Sequence, residues 1–448
     1  MVCVPTTPSF SLIYSRMFRF IQLIPLAFCT LRSEAAPQGT YSATSSSSEP
    51  YPTIPYASND PNLPLWTIYD NIIPQPIRGP LGATILGPQN VPIAIENPSL
   101  LAPPTTDHGT VPNAKWPFAL SHIRLQRGGW ARQQTVDDMP IATGLAGVNM
   151  RLEAGAIREL HWHTAAEWAY VIKLCFITIV TPEGQNYVAN VNPGDVWYFP
   201  PGQPHSIQAT ATDPEGTEFL LVFPDGSFNE DSTFLLTDWL AHVPKEVIAK
   251  NFGTDTSSFN HLPGEELYIF PSDTPPINNP SPTSPEGTTS QPYTYAFSQV
   301  QPTQHSGGTV KILDSRTFKV STGISVADVT VEPGAMRELH WHPTEDEWTF
   351  FLEGSGRISL FAAQSNARTF DYQAGDIAYI PKSYGHYVEN TGNTTLHFLE
   401  IYNSDRFQDV SLTQWLALIP PALVKAHLNL SDETIEHLSK TKSMVVKS

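Results

Sequence analysis

The chain has 448 residues, a formal net charge of −18 and a sequence pI of about 5.1. A length about three times that of a typical domain of ~150 residues predicts two domains with additional arms. The excess of acidic side chains would repel nucleic-acid phosphates and offers no basic surface to an anionic membrane, so we expect neither partner.

The first 36 residues resemble a secretory leader. Residues 18–29 form a short apolar run that follows a basic residue and leads to the small residues Ala35 and Ala36, a pattern typical of a cleaved signal peptide. The polar stretch before Met17 is unusual for such a leader, so Met17 is a candidate for the true start. We therefore predict a secreted, extracellular protein.

Two segments of low complexity divide the rest of the chain. Residues 37–60, rich in Ser, Thr, Tyr and Pro, have too few apolar side chains to order themselves and predict a flexible arm. A second segment rich in Pro, Asn, Ser and Thr predicts a linker over 263–290. The two folded domains are therefore predicted at 61–262 and 291–448.

The first domain contains a histidine-rich block. His161 and His163 are followed by Glu167, and His205 comes later, after a turn rich in Pro and Gly. Residues two apart on a strand point to the same face, so His161 and His163 are expected to point into a barrel while Trp162 points outward. Three imidazoles and one carboxylate fill four of six octahedral positions and leave two for substrate. Zinc suits this set less well than manganese or iron, because four protein ligands would complete its tetrahedron.

The same block recurs in the second domain as His340, His342, Glu347 and His386. His161 and His340 are 179 residues apart, so an internal duplication is indicated. A single His-x-His is more often incidental than metal-binding. Two copies, each with the glutamate and the distal histidine in the same order, predict a metal site in each domain.

The pattern between these blocks predicts an all-β fold. Runs such as residues 168–172 and 348–352 are rich in aromatic and β-branched side chains, and Gly and Pro turns lie between such runs. Each half then ends in a helical pattern, at 238–252 and 414–428. Two antiparallel barrels, each with a short C-terminal helical segment, are the expected architecture.

The two blocks resemble the cupin motifs Gly-x5-His-x-His-x3,4-Glu-x6-Gly and Gly-x5-Pro-x-Gly-x2-His, and their pairing is similar to the bicupin oxalate decarboxylases of fungi and bacteria. The resemblance extends to residues 107–110, 128–132, 146–152 and 197–200. It implies two jelly-roll-type cupin barrels in tandem, with manganese (Mn²⁺) in each. It also implies conversion of oxalate to formate and carbon dioxide, dioxygen as a co-catalyst that is not consumed, and a homo-oligomer, either a trimer or a hexamer.

The resemblance also implies roles for four other side chains. Arg158 and Arg337, each three residues before the first histidine of a block, would pair with the oxalate carboxylate that does not bind the metal. Glu230, in the segment that matches the family's mobile loop, would be the proton donor; without the resemblance, that segment would be an exposed turn that caps a helix. The comparable acid of the second half is Glu400, whose apolar surroundings could raise its pKa, although a buried structural hydrogen bond explains it equally well.

Two positions depart from the family pattern. Leu174 stands where the first motif expects a glycine, in a shorter hairpin, so we expect that hairpin to be rearranged. Ser383 stands where the second motif expects a glycine, and we expect Gly385 to take over its turn.

Two rival functions are considered. An oxalate oxidase, which forms carbon dioxide and hydrogen peroxide, would keep the metal and Arg158 but lack an effective proton donor. A non-catalytic bicupin storage or binding protein is disfavoured, because such proteins typically lose metal ligands and all eight are present here.

Overall fold

The computed structural model describes residues 53–54, 66, 70–74, 90–211, 213–276 and 281–447. The predicted signal peptide, 1–36, lies outside these residues. So does the predicted arm, 37–60, except for Thr53–Ile54, which pairs in parallel with Ile73–Pro74. Within the described part of the chain, no helix is both long enough and apolar enough to cross a membrane.

The first barrel consists of two sheets with antiparallel pairing. The strands of one sheet follow the order Asn186–Val191, Cys175–Val180, His205–Ala209, Ile157–Trp162 and Phe234–Leu235, and Ile269–Phe270 also pairs with Ile157–Trp162. The strands of the other follow the order Thr294–Tyr295, Val196–Phe199, Glu167–Val171, Thr217–Phe223, Ala146–Leu152, Gly129–Gln134 and Ile123–Gln126. Alternate side chains of both sheets, among them Met150, Ile177 and Phe219, form the apolar core.

The second barrel repeats this arrangement. The strands of one sheet follow the order Ala367–Gln373, Ser355–Phe361, His386–Asn390, Ala335–Trp341 and Val410–Ser411, and Val445–Lys447 also pairs with Ala335–Trp341. The strands of the other follow the order Thr303–His305, Gly308–Leu313, Ser325–Val331, Leu396–Tyr402, Glu347–Glu353, Asp376–Ile380 and Lys115–Pro117. The prediction of an all-β chain with two cupin-type barrels is therefore confirmed.

Short helices precede and follow the barrel strands. The α-helices are Val91–Glu96, Pro98–Leu101, Leu236–Ala241, Lys245–Phe252, Leu412–Ala417, Pro421–Leu428 and Asp432–Glu436, and the 3₁₀ segments are Phe118–Leu120, Glu230–Ser232, Thr256–Phe259 and Phe297–Gln299. Each predicted helical tail consists of two helices rather than one. Pro244 and Pro420 are the N-caps of the second helix in each tail, and a proline cannot continue the preceding helix because it lacks the backbone N–H.

Each barrel contains a strand that belongs to the other predicted domain. Lys115–Pro117, from the predicted first domain, pairs with Asp376–Ile380 of the second barrel, and Thr294–Tyr295 pairs with Val196–Phe199 of the first. Ile269–Phe270, inside the predicted linker, is a strand of the first barrel. The boundaries at 61–262 and 291–448 stay predictions.

The two barrels share a buried contact. Trp168 and Trp348 belong to one apolar cluster together with side chains from both halves, and Trp348 Nε1 donates a hydrogen bond of 2.8 Å to Gln134 Oε1. A fully buried indole needs such a partner, because an unpaired N–H in an apolar interior costs about 1–3 kcal/mol. This contact fixes the second barrel against the strand that contains Gln134.

Candidate metal centres

The four predicted ligands of the first barrel, His161, His163, Glu167 and His205, converge at what we call site 1. One potential ligand atom from each lies within 4.8 Å of the others, and all four residues are buried. An ion with ligand bonds of about 2.2 Å would place adjacent ligand atoms about 3 Å apart. The distances from Glu167 Oε2 to His163 Nε2, 3.2 Å, and to His205 Nε2, 3.5 Å, are close to that spacing.

The second barrel forms an equivalent cluster, site 2, from His340, His342, Glu347 and His386. These side chains are also buried with ligand atoms within 4.8 Å of one another. Glu347 Oε2 lies 2.9 Å from His342 Nε2 and 3.3 Å from His386 Nε2. The structure therefore brings all eight predicted ligands together in two separate sets.

Backbone carbonyls set the tautomer of the ligand histidines. Nδ1 of each of the six rings lies 2.6 to 3.0 Å from a carbonyl oxygen. Because a carbonyl only accepts, Nδ1 carries the proton and the Nε2 lone pair is left for the site. Nε2 of His205, His340, His342 and His386 is buried without a hydrogen-bond partner. The short distance from His342 to Glu347 thus lacks hydrogen-bond geometry, and these acceptor atoms fit a shared cation.

The electrostatics of site 1 also suit a cation. Burial and the charge of Arg158 lower the pKa of His161 well below its usual value. Burial alone would raise the pKa of Glu167, but the rings of His205 and His163 outweigh it and lower the pKa below its ordinary range. Burial alone would lower the pKa of His163, but its contact with Glu167 outweighs burial and raises it. A cation bound at Nε2 would displace the proton there and leave neutral imidazoles beside an ionised carboxylate, the protonation state that divalent cations require.

A bulge brings Arg158 to the same side of its strand as His161. The cross-strand partner of His161 is His205 and that of Arg158 is Ile207, so three steps on one strand match two on the other. Strict alternation would turn a side chain three positions from His161 to the opposite face. The extra residue of the bulge turns Arg158 inward again. Arg337 and His340 show the same shift opposite Val388 and His386.

The segment 227–233, which we call the lid, closes over site 1. Phe228 and Glu230 point inward and are buried, while Asn229 between them and Asp231 after them are exposed. The Phe228 ring lies 5.4 Å from that of His163. Glu230 begins the 3₁₀ segment Glu230–Ser232, which Asn229 caps through its side chain. The expected helix cap by a Ser or Thr is absent, since the helix Leu236–Ala241 has no side-chain cap. Glu230 itself is buried rather than exposed.

Glu230 pairs with Arg158 inside the barrel. Arg158 Nε and Nη2 both donate to Glu230 Oε1, the former at 2.9 Å, and Nη2 also donates to Thr233 Oγ1 at 3.1 Å. The guanidinium carbon lies 4.3 Å from the ring centre of Tyr268. Our sequence reasoning missed Thr233 and Tyr268. Thr233 belongs to the lid, but no sequence signal ties Tyr268 to Arg158, because the two meet only in the folded chain.

Glu159 and Glu338 position the ligand strands and were also missed. Glu159 Oε1 accepts from the backbone N–H of Thr237 at 2.6 Å, and Oε2 accepts from that of Tyr268 at 2.8 Å. The carbonyl oxygen of Glu159 accepts a hydrogen bond from Nδ1 of His161. The sequence did contain one signal for Glu159, because it is a charged residue between Arg158 and His161 in a buried strand.

The second arginine has different partners. Arg337 Nε donates to Glu400 Oε1 at 3.2 Å, and Nη2 donates to Asp409 Oδ2 at 2.7 Å. Burial raises the pKa of Glu400, in the direction that its apolar run suggested. Glu400 lies on the strand Leu396–Tyr402, not on a loop, and Tyr402 donates a hydrogen bond of 2.6 Å to it. The buried structural hydrogen bond, which was one of the two explanations for Glu400 from the sequence, is therefore present.

Asp409 was missed by the sequence reasoning. Trp239 and Trp415 lie 176 residues apart, and the same offset places Asp409 opposite Thr233 and Arg406 opposite Glu230. The second half thus has an arginine where the lid of the first half has its acid. Lys442 also donates to Asp409, so this carboxylate is paired with two cationic side chains, those of Arg337 and Lys442.

Asp409 should stabilise the fold in a pH-dependent way. Burial alone would raise the pKa of Asp409, but Arg337 and Lys442 outweigh it and lower the pKa to about 2. A depressed carboxylate pKa contributes stability that is present above about pH 4 and is lost as the pH falls towards 2, worth on the order of 2 kcal/mol here. We expect Asp409→Asn to lose this contribution.

The measurement is urea unfolding of wild type and variant between pH 6 and 2. The difference in unfolding free energy should shrink as the pH falls, and the exposed helical carboxylate Glu436 provides the control variant Glu436→Gln. A difference that stays constant with pH would show that Asp409 acts through packing alone.

The two departures from the motif have different outcomes. Gly354 has a φ of 83°, whereas Leu174 has no positive φ. Glu167–Val171 and Cys175–Val180 belong to different sheets, so the expected hairpin is instead a connection between sheets, in which the N–H groups of Ile172 and Lys173 both bond to the Glu218 carbonyl. Because the ligands of site 1 still converge, this shortened connection leaves the site intact.

The expectation for Gly385 was wrong. Ser383 itself adopts a φ of 68°, close to the 74° of Gly202. Its N–H donates to the His342 carbonyl at 2.7 Å, just as that of Gly202 donates to the His163 carbonyl at 2.8 Å. A Cβ at Gly202 would have no neighbour within 4 Å, so this turn has room for a serine despite the cost of a left-handed conformation.

Comparisons with known proteins agree with this geometry. The cupin family model matches residues 121–258 and 294–436. The chain is 53% identical to oxalate decarboxylase OxdC of Bacillus subtilis (strain 168), over 84% of this chain and 98% of that protein. It is 37% identical to an oxalate decarboxylase of Arthroderma benhamiae, over 85% of this chain and 95% of that protein.

Solved structures give the same result. The structure of oxalate decarboxylase from Bacillus subtilis at pH 4.6 has a TM-score of 0.82 and 52% identity, covering 86% of this chain and all of that chain. Another structure of that enzyme, with a TM-score of 0.81 and 53% identity, was used to assign the EPR parameters of its Mn(II) centres.

Proposed function

The chain belongs to the bicupin oxalate decarboxylases of the cupin family, and we propose that it works through manganese at two sites, with Glu230 as the proton donor at site 1. As a carbon–carbon lyase it converts oxalate to formate and carbon dioxide. The oxalate dianion takes up one proton as the carbon–carbon bond breaks, so a positioned acid is required. The buried contact of Glu230 with Arg158, beside the ligand set, is the observation that carries this assignment.

The donor set supports manganese. Each site offers three imidazole Nε2 atoms and one carboxylate in a buried cluster. This mixture suits a six-coordinate divalent ion with open positions better than tetrahedral zinc. When bound, manganese would supply those open positions and one-electron chemistry.

Arg158 would orient the substrate. A guanidinium binds a carboxylate through two parallel N–H donors, and Arg158 is fully buried next to His161 on the same strand. Two of its donors are engaged by Glu230 when the lid is closed. An oxalate carboxylate would compete with Glu230 for these donors. Substrate binding would thereby displace the Glu230 carboxylate from Arg158, and Glu230 would then take up the proton that it delivers to the reacting carbon.

The asymmetry of the two arginines supports catalysis at site 1. Arg337 is held by two carboxylates with fully buried side chains, Glu400 and Asp409. Glu400 is fixed in a strand and bonded to Tyr402, whereas Glu230 lies on a loop with exposed neighbours. A carboxylate on a loop can approach and leave the substrate with little rearrangement of the barrel.

A product assay tests the proposal. Metal-loaded protein incubated with oxalate at mildly acidic pH should yield formate and carbon dioxide in equal amounts. Hydrogen peroxide without formate would establish the oxidase instead, and protein that binds neither manganese nor iron would establish the storage alternative. The proposal includes dioxygen as a co-catalyst that is not consumed. Unchanged turnover under strictly anaerobic conditions would remove dioxygen from it.

Exposed apolar surfaces support a homo-oligomer. Leu160, Phe234 and Trp239 of the first barrel are about half exposed, as are Leu339 and Trp415 at equivalent places on the second. Two related faces on one chain can meet in a head-to-tail ring, which closes into a trimer, and two trimers can pair into a hexamer. Patches of this kind are rare on monomeric proteins.

A charge placed in one face tests this assembly. We expect Leu339→Asp to reduce the mass measured by light scattering below that of a trimer, because an unpaired carboxylate cannot be buried in an apolar interface and the ring then cannot close. Ile93→Asp, at an exposed apolar position on the helix Val91–Glu96, is the control. Wild-type protein with the mass of one chain would exclude the oligomer.

Secretion completes the proposal. The apolar run at 18–29 and the small residues after it support export with removal of the first 36 residues. N-terminal sequencing of protein recovered from culture medium should begin near residue 37, and recovery only from cell lysate would contradict this.

A further inference from the structure

An outer hairpin lies beside the lid. Its strands, Ile123–Gln126 and Gly129–Gln134, form the edge of the larger sheet of the first barrel. Two of its side chains, Arg124 and Gln133, border a cleft of about 140 Å³ that Glu230, Asp231 and Tyr268 also line. The function described above gives neither Arg124 nor Gln133 a role.

Gln133 contacts two consecutive lid residues. Gln133 Nε2 donates to Asn229 Oδ1 at 3.1 Å, and Gln133 Oε1 accepts from the backbone N–H of Glu230 at 3.0 Å. One amide side chain thus uses both its donor and its acceptor on the lid. The second contact is broken whenever the backbone of Glu230 moves away from the barrel.

Arg124 contacts the next lid residue. Its Nη1 donates to Asp231 Oδ1 at 2.6 Å, and its Nη2 donates to Glu266. The guanidinium carbon lies 3.6 Å from the ring centre of Tyr268, the same ring that Arg158 contacts from within the barrel. Stacking and two carboxylates restrain this guanidinium, which is only 22% exposed. Arg124 therefore connects the lid to the segment that contacts Arg158.

The second barrel lacks these side chains. Its corresponding hairpin pairs His305 with Gly308, as Gln126 pairs with Gly129 in the first. In that register Thr303 stands opposite Arg124 and Ile312 opposite Gln133. Neither replacement can form the same charged or bidentate contact, and the second barrel also has no acid at the position of Glu230.

We propose that Arg124 and Gln133 form a latch that sets how often the lid is closed. They are positioning residues, which act through Asn229, Glu230 and Asp231 and do not touch the substrate. The lid must open to admit oxalate and must close to bring Glu230 to site 1, so the strength of the latch balances substrate entry against proton delivery. The consequence for catalysis rests on the role proposed for Glu230; the contacts themselves do not.

Hydrogen exchange at the Glu230 amide tests the latch directly. The amide is bonded to Gln133 only while the lid is closed, and its exchange can be followed in the metal-loaded full chain without oxalate. We expect Arg124→Ala and Asp231→Asn each to speed exchange about twofold to fivefold, the upper part of the range for loss of a surface ion pair, because the Arg124 side chain is partly buried. The double variant should exchange no faster than Arg124→Ala, since that variant already removes the contact with Asp231. Arg127→Ala, an exposed arginine of the same hairpin, should leave exchange unchanged.

The result separates three explanations. Unchanged exchange in both single variants would overturn the latch. Faster exchange in Arg124→Ala alone would also overturn it, because Arg124 would then act through Tyr268. If exchange responds as expected but no variant forms formate, the latch stands and the proposed function fails. If formate is formed, the ratio of hydrogen peroxide to formate should rise with the exchange rate, whereas a merely structural role would lower both products together.

Discussion

Glu230→Gln should reduce formate production at least about 100-fold, the usual contribution of a positioned general acid. The variant keeps the size of the side chain, and glutamine oxygen can still accept from Arg158, so the lid should still close. What is lost is the carboxyl proton, which an amide cannot supply. Formate formation and manganese content of wild type and variant should be measured on the same preparations, and the manganese content should not change.

Glu400→Gln is the matched comparison, because Glu400 makes the equivalent arginine contact in the second barrel. We expect this variant to keep most of the formate production and to lose stability, since a buried carboxylate bonded to both Arg337 and Tyr402 is replaced. Equal loss of formate in both variants would show that each site turns over. Full activity in Glu230→Gln would remove Glu230 as the proton donor.

His163→Ala and His342→Ala should each remove one of two manganese ions per chain. Loss of a group that hydrogen-bonds a metal ligand already costs about 10- to 100-fold in metal affinity or activity, so loss of the ligand itself should cost more. Because only site 1 has a lid acid, we expect formate production to fall at least about 100-fold in His163→Ala. In His342→Ala the barrel should become less stable while site 1 remains active.

Metal analysis with a thermal unfolding scan distinguishes the two variants. The lost ion should lower the unfolding temperature in both, since an ion that binds only the folded state stabilises it. His437→Ala, a change at the exposed C-cap histidine of the helix Asp432–Glu436, is the control for handling and metal loading. Two ions still bound to His163→Ala would contradict the ligand assignment, and loss of formate only in His342→Ala would transfer catalysis to site 2.

Much of the metal centre could be predicted from the sequence, because ligand geometry there is local. His161 lies on the strand Ile157–Trp162 and His163 directly follows it, and the alternation continues past the strand end, so both rings point inward. The remaining ligands were predicted from the order of the four residues, which is the same in both halves. The turn at Ser383 could not be predicted, since a serine in a left-handed conformation depends on the free space around it.

The surroundings of the two arginines could not be predicted in the same way. Strict alternation would turn Arg158 away from His161, and only the bulge opposite Ile207 brings both to one face. Tyr268 is 110 residues from Arg158, and Asp409 is 72 residues from Arg337. No periodicity connects positions so far apart, because their contact arises when separate strands and loops pack.

The sequence by itself therefore determined the all-β fold, the duplication and the eight metal ligands, since these follow from side-chain alternation and from motifs within a few residues. The tertiary structure alone decided which arginine faces a carboxylate on a loop and which faces one in a strand. Glu230 and Glu400 reach equivalent guanidinium groups from different elements. That difference depends on how distant segments pack around each barrel, and a local pattern does not encode it.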